Sequence, residues 1–558
     1  QRSSFPGTPI QCSEHPNQHH FVKITLMSTA SSGNRDYAFV RQRLLDRKEI
    51  AFLDVREEVA HAEGHPLFAA NFPYSTIELS AYNVLPYRNV PIVTLDAGEG
   101  LAEAAARCLI AMGYGDVAVF QGGIEAWKAA GGEIFIDVNV PSKAFGELME
   151  SRCHTPSLPA DEIRELLDSD EDVVVLDVRR FDEYQTMCIP SAISVPGGEL
   201  VLRVPDIVAS PETTVIVNCA GRTRGLLGTQ SLVNANLPNK VFALRNGTIG
   251  WTLAGHSLDT GQARRFDETP EASRLKAAER AWAVARRAGV KQLTLRELNC
   301  WVAEAEHTVY RFDVRGLEEY EAGHIPGFYP IPGGQLAQET EMYAPVRGAR
   351  IVLADDDGCR ANMCASWLAQ MAWDVYVLED LQVTDFSERG PWIRQLPPYE
   401  AVAAVSVETL AQWLADGEDL TVLDLAKHVQ YKRAHIPGAG YFVRSRQISD
   451  TDNIPRSSRY VLTSGDGELA RFTAAELQKR LAGEVFVLGG GTDAWARAGR
   501  RLESGETLMI SPPVDRYRRP YEGTDINTEV MQAYLDWEFG LVDQLARDGT
   551  HHFEPMCC

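Results

Sequence analysis

No run of about 18 consecutive apolar residues occurs in the 558, so nothing in the chain reads as a membrane-spanning helix. Basic residues are in short supply: 54 Lys and Arg stand against 77 Asp and Glu. The resulting formal charge of -23 argues against a nucleic acid or an anionic membrane as partner. Paired C-x-x-C motifs are missing. The ten cysteines (12, 108, 153, 188, 219, 300, 359, 364, 557 and 558) are scattered, with no metal-site spacing and no disulfide framework for so long a chain. The sequence therefore calls for no metal and no cofactor. Such usage suits a reducing cytoplasm, and the terminal pair of cysteines reads as a frayed tail without a role. The opening stretch lacks the basic-then-apolar order of a secretory signal, because Phe21–Leu26 is short and interrupted by Lys23. Residues 1–35 read as a disordered leader, with Met27 a candidate start. What remains is ordinary for a globular protein, 45% apolar and 23% charged, with length for about three to five domains.

The most informative stretch runs from Val215 to Leu232. An apolar strand, Val215-Ile-Val-Asn, ends at Cys219. The loop residues Ala220, Gly221, Arg222, Thr223 and Arg224 follow, and then a helix-compatible segment. A strand-loop-helix unit puts the thiol at the C-terminal edge of a parallel sheet, over a helix N-terminus whose N–H groups form an anion cradle. With Arg222 and Arg224 in the loop, the field at Cys219 is expected to be strongly positive and to lower the thiol pKa toward the nucleophilic thiolate.

That unit belongs to a repeat. Four segments end a strand in Asp: Asp54-Val-Arg56, Asp177-Val-Arg179, Asp313-Val-Arg315 and Asp424-Leu-Ala426. Each leads to a Pro-containing turn, at His65-Pro66, Cys188-Ile-Pro190, His324-Ile-Pro326 and His435-Ile-Pro437. A second strand, a loop and a helix follow. A Gly-to-Trp ending comes last, reaching Trp127, Trp251 and Trp495, while the third copy carries Val377–Leu381 in its place. Leu109, Leu232, Leu368 and Leu477 each lie 13 residues past the first loop residue, which is Asp96, Cys219, Asp355 and Ser464 in turn. Ordered landmarks at like spacing in four copies are a tandem repeat.

This set of landmarks resembles the rhodanese family of sulfurtransferases over residues 36 to 500. The resemblance implies an α/β fold: four tandem rhodanese-like domains, each a parallel sheet flanked by helices on both faces. The units fall at 36–136, 155–262, 290–395 and 403–506. A helical linker covers 263–289, and 507–558 is a C-terminal extension with one amphipathic helix over 527–548. Only the second unit carries the cysteine. In the acidic loops of the others a carboxylate can satisfy the N–H donors itself, so units one, three and four read as inactive. Cys359 reads as a neutral surface thiol, and Ser464 has no base beside it. His65, His324 and His435 read as structural. Cys188, which replaces that histidine in unit two, is expected to be a small core residue, the alternative being a thiol that resolves a persulfide. Asp177 and Arg179 are expected to form a structural ion pair supporting the loop.

By that resemblance, the Cys219 thiolate takes the outer sulfur of an anionic donor such as thiosulfate and passes it from a persulfide to cyanide or a thiol. Residues Ala220 to Arg224 bind the donor. A six-residue loop, with the helix starting at Gly225, suits sulfur, whereas phosphatases of this fold use seven residues. The basic loop favours thiosulfate over mercaptopyruvate. Glu183, however, stands where related two-domain enzymes carry a donor-binding arginine, which puts high thiosulfate activity in question. The alternatives are a sulfur-trafficking scaffold or persulfide carrier loaded by another protein, and a phosphatase or arsenate reductase. The sequence leaves open which unit faces Cys219, the oligomeric state and the acceptor.

Overall fold

A computed structural model describes residues 33–208 and 210–557. Four sheets follow one another along the chain. The second has strand order Ser157–Leu158, Val241–Leu244, Thr214–Asn218, Val173–Asp177 and Ile193–Ser194, all parallel. Its central strands are short and rich in Val and Ile, the composition of strands covered on both faces. The third and fourth sheets repeat this order with all pairs parallel.

The first sheet differs in two ways. Residues 33–35, assigned by sequence to the leader, are a strand paired in parallel with Ala118–Phe120; the rest of the expected leader lies outside the described residues. Its other edge receives Val346–Arg347 from the third unit, antiparallel to Ile50 and Ala51. One apolar core therefore runs through both units, from Phe52 and Leu53 to Ile351 and Leu353. Where the third unit lacks the Gly-to-Trp ending, Asp374–Glu379 is followed by a 3-10 turn, Val383–Asp385, instead of a helix.

Three segments outside the sheets position the site. The helix Val140–Cys153 lies between the first two units, in a stretch to which the sequence reading assigned no element. The linker helix Glu271–Arg287 buries Ala277, Ala281 and Val284 against the second unit and Cys359 of the third. The extension holds two helices, Thr528–Phe539 and Leu541–Asp548, rather than one, because the chain breaks at Gly540. Its end is fastened by a disulfide from Cys557 to Cys153, so the tail expected to be frayed is anchored. Among the described residues no helix is long and apolar enough to cross a membrane.

Candidate active site

Cys219 leaves the end of the buried strand Thr214–Asn218 and is 2% exposed. The helix behind it starts at Thr223, not Gly225, so Thr223 and Arg224 form its first turn. The loop is pinned from the side by the helix Gly247–Leu253: Thr248 and Ile249 donate their N–H groups to the carbonyls of Cys219 and Ala220 at 2.9 and 3.0 Å. Gly247 makes this approach possible. Its φ is +57°, and a Cβ there would lie 2.4 Å from the Cys219 carbonyl oxygen and 2.5 Å from that of Gly221. The Gly-to-Trp landmark is thus the loop's buttress.

The sulfur receives the N–H of Gly225. The sister loops use the N–H at the same place for an oxygen. Ala102 donates to Asp96 Oδ2 at 3.1 Å, Ala361 to Asp355 Oδ2 at 2.8 Å and Ala470 to Ser464 Oγ at 3.4 Å. Asp96 and Asp355 each accept a second loop N–H, from Gly98 and Gly358. Carboxylates fill these cradles, as the acidic loops led one to expect.

The arginines do not make the strongly positive field expected of them. Arg222 donates from Nε and Nη2 to the two oxygens of Glu147 at 2.7 and 2.9 Å, from Nη2 to Glu150, and from Nη1 to Asn246 Oδ1 at 2.8 Å. Arg224 is held in both Nη positions by Glu183, at 2.8 and 2.9 Å. Burial pushes the Cys219 thiol up to about 11 instead of down. Arg224 and the Gly225 N–H offset only part of this, while Asp177 and Glu538 add to it. Glu183 shows the other side of the pairing: burial alone would raise it, but the Arg224 charge and bonds hold it at about 2.

Asp177 and Arg179 form the expected ion pair, with Nε to Oδ1 at 2.9 Å and Nη2 to Oδ2 at 2.8 Å; both are buried. Arg179 also reaches the Met187 carbonyl at 2.5 Å, and Asn218 donates to Asp177 at 3.2 Å, so the pair ties turn, strand and loop together. Cys188 is buried in a separate core with Ile163, Tyr184 and Trp251. His324 and His435 donate from Nδ1 to the Tyr320 and Tyr431 carbonyls, one turn back, at 2.9 and 2.7 Å; His65 instead meets the carbonyls of Pro66 and Asp137. Cys359 corrects its expectation: it is fully buried against the linker helix, not a surface thiol, because its loop docks there.

The loop that follows Cys219 is also packed by segments outside the four sheets. Thr223 packs under Gly146, where a Cβ would lie 3.1 Å from its Cγ2. Tyr534 and Glu538 of the C-terminal extension lie over Gly221, its Cβ position being 3.3 Å from Tyr534 Cε1 and 3.6 Å from Glu538 Oε2. Tyr534 donates to Glu538 Oε1 at 2.7 Å, and Oε2 is buried without a partner. Burial, with the charge of Glu147, pushes Glu538 up to about 8 against the pull of Lys143. Ala220 and Ile249 pack with Tyr521, Met531 and Leu535. Glu147, Glu150, Asn246, Tyr534 and Glu538 were not found by sequence reasoning. Except for Asn246, beside the Gly-to-Trp landmark, they lie in segments with no repeat signature. Among the described residues no cluster of His, Cys, Asp or Glu suits a metal ion.

The family model described as "Rhodanese-like domain" matches residues 40–130, 159–254, 297–380 and 406–498. The crystal structure of the thiosulfate sulfurtransferase from Pseudomonas aeruginosa is 56% identical, with a TM-score of 0.92, covering 94% of this chain and 100% of that one. YrkF of Bacillus subtilis, named as a candidate sulfur carrier protein, is 23% identical over 137 residues, 23% of this chain and 72% of its own length. The HTH-type transcriptional regulator Rv0324 of Mycobacterium tuberculosis is 29% identical over 90 residues, 16% of this chain and 39% of its own.

Proposed function

The chain belongs to the rhodanese family, and on that premise we propose that it is a thiosulfate-type sulfurtransferase working through a persulfide on Cys219. One observation carries the assignment of the site. The four loops place one acceptor over the same helix N–H, and only in the second is that acceptor a thiol, on the sulfur of Cys219. The likeness to the Pseudomonas aeruginosa thiosulfate sulfurtransferase supports thiosulfate as donor.

In the first displacement the Cys219 thiolate attacks the outer sulfur of thiosulfate. An S–S bond forms, the bond to the sulfonate sulfur breaks, and sulfite leaves with the electron pair. Cyanide then takes the outer sulfur as thiocyanate, or a thiol takes it as a persulfide, and the thiolate returns. Arg224, the Gly225 N–H and the loop amides of Ala220, Gly221 and Thr223 hold the negative charge shared among donor, thiolate and sulfite; Arg222 shapes the loop through Glu147 and Asn246. Asp177 and Arg179 support the loop and take no part in bond making. The sulfur is buried, so the donor reaches it when the cover of Tyr534 and Glu538 shifts.

That cover, with Arg224 already paired to Glu183, favours a second reading: a persulfide carrier or trafficking scaffold loaded by another protein. The six described cysteines outside the disulfide suit a reducing cytoplasm, whereas the Cys153–Cys557 bridge suits an oxidising compartment. Non-reducing mass mapping of protein taken from cells decides between these compartments.

The test of function is the intact mass after incubation with thiosulfate, with Cys219→Ser alongside. A gain of one sulfur, about 32 Da, on the wild type alone and released by cyanide as thiocyanate, is the expected result. A gain only from a persulfide-bearing protein would establish the carrier instead, and no gain from any donor would refute sulfur transfer.

A further inference from the structure

In three of the four units the aspartate that ends the first strand is capped by the arginine two residues on. Arg56 places Nε 2.9 Å from Asp54 Oδ1 and Nη2 2.5 Å from Oδ2, and Nη2 also reaches the Gly64 carbonyl at 2.7 Å. Arg315 repeats this on Asp313 at 2.9 and 2.7 Å and on the Gly323 carbonyl at 2.7 Å. Arg179 does the same with Asp177 and Met187. The fourth unit has Ala426 in the arginine's place. Its N–H still donates to Asp424 Oδ1 at 2.9 Å. Asp424 Oδ2, the atom that takes Nη2 in the sister units, is left with no partner, on a residue 1% exposed.

An unpaired carboxylate at that depth costs several kcal/mol unless something answers it. The contrast shows in its acidity. Burial would raise Asp54, but the Arg56 and His61 bonds hold it well below the carboxylate range. The same burial pushes Asp424 up to about 6, with only the Ala426 N–H and the charge of His435 opposing.

The missing side chain has left space. Asp424, Ala426 and Ala434 line a cavity of about 700 Å³ between the first and fourth units. Ala434 occupies the turn position whose carbonyl takes the arginine in the other copies. The same wall carries Glu341, neither of whose buried carboxylate oxygens has a partner, and Glu57, which is buried and bonded only by the hydroxyls of Ser75 and Ser445. Several cations that share the wall are engaged: Arg394 with Asp466, Arg519 with Glu58, and Arg444 with Glu78 and Glu476. Lys427 and Arg433, also on it, are exposed. The loop Ser464-Gly-Asp-Gly-Glu-Leu469, acidic where the second unit is basic, borders the same space through Ser464, Gly465 and Asp466.

We propose that this cavity binds a small organic cation bearing a guanidinium group, which seats on Asp424 and the Ala434 carbonyl in the place of the arginine that the fourth unit lacks. A guanidinium fits because its planar fork makes the paired bonds the three internal examples show, which a compact ammonium cannot reproduce. The seat lies at the end of the unit's first strand and is independent of the sulfur site.

The experiment is calorimetric titration of the full chain with methylguanidinium and with agmatine at matched ionic strength, using butylammonium as the comparison cation. One-to-one saturable binding of both guanidinium probes is expected, at least about tenfold tighter than butylammonium. Ala426→Arg should fill the seat, abolish binding and raise the melting temperature of the unliganded protein, while Asp424→Asn should weaken binding by about tenfold or more. Should Asp424→Asn fail to fold, Ala426→Arg alone still decides. Cys219→Ser should bind as the wild type does, which separates this site from sulfur transfer. No saturation by either guanidinium probe, equal binding by Ala426→Arg, or butylammonium binding as tightly as agmatine would overturn the proposal.

Discussion

Replacing Glu183 with glutamine is expected to improve the enzyme toward thiosulfate. Glu183 holds both terminal nitrogens of Arg224 at 2.8 and 2.9 Å, so the only arginine among the leading influences on the Cys219 thiol is neutralised at rest. A donor anion docked on the far side of the guanidinium lies roughly 7 Å from the carboxylate. At an effective dielectric of about 20, one unit of charge there is worth about 2 kcal/mol of repulsion. Because the Glu183 side chain is about a quarter exposed, water and salt screen a good part of this. That leaves on the order of 1–2 kcal/mol, or about a tenfold lower KM for thiosulfate. The thiol pKa should fall in the same variant, because Arg224 is then unopposed. The assay is steady-state thiocyanate formation at varied thiosulfate and fixed cyanide, repeated with an uncharged alkyl persulfide as donor. The gain should appear with thiosulfate and be small with the neutral donor. A KM for thiosulfate that is unchanged or higher in the folded variant would refute the reasoning, and would mean that Glu183 serves to aim Arg224 and not to mask it.

Four other outcomes follow from the same geometry. With the Cys219 thiol at about 11, sulfur loading from thiosulfate should rise close to tenfold per pH unit between about 8 and 10, and a profile already flat above neutral pH would show that the thiolate forms without this burial. Gly247→Ala puts a Cβ 2.4 Å from the Cys219 carbonyl at a left-handed φ, which should cost about 2 kcal/mol or more and most of the activity; denaturant titration and turnover together check it. Glu538 has its ordinary pKa near 4.5 in the unfolded chain and about 8 when folded. The stability it lends is therefore complete below about 4.5 and drains away as pH rises to about 8, at up to about 1.4 kcal/mol per pH unit. Glu538→Gln should remove this slope, and parallel pH dependences of the two proteins in urea would count against it. Cys557→Ser opens the bridge to Cys153 across 404 residues of chain; denaturation midpoints should fall by the equivalent of roughly 2–4 kcal/mol, and an unchanged midpoint would show the bridge to be idle.

Much of the arrangement is written locally. A Val-rich strand running into Cys219 and a loop with Gly221 specify strand, turn and helix through short-range preferences, and a strand-ending Asp in all four units, with a Gly-to-Trp ending in three, marks where the sheets begin and end. Asp96 and Asp355 could be read as cradle fillers because the helix N–H they accept lies only six residues on in the chain. The sign of the field at Cys219 could not be read that way. Arg222 and Arg224 stand beside the thiol in sequence, but their partners are Glu147, 75 residues away, and Glu183, 41 residues away. The extension's helix was legible as amphipathic, while its landing place over Gly221 was not, since an apolar stripe does not name its partner.

The sequence by itself determined which unit carries a thiol at the head of its loop, that the other three carry Asp, Asp and Ser there, and the α/β plan repeated four times. These rest on bonds and packing within one element or between neighbours in the chain. Only the tertiary structure decided that carboxylates neutralise both loop arginines, that burial raises the thiol, that the C-terminal extension lies over Gly221 of the loop, and that Asp424 Oδ2 is buried without a partner. Charge and burial act through space, and the groups that set them are brought together by folding from segments hundreds of residues apart.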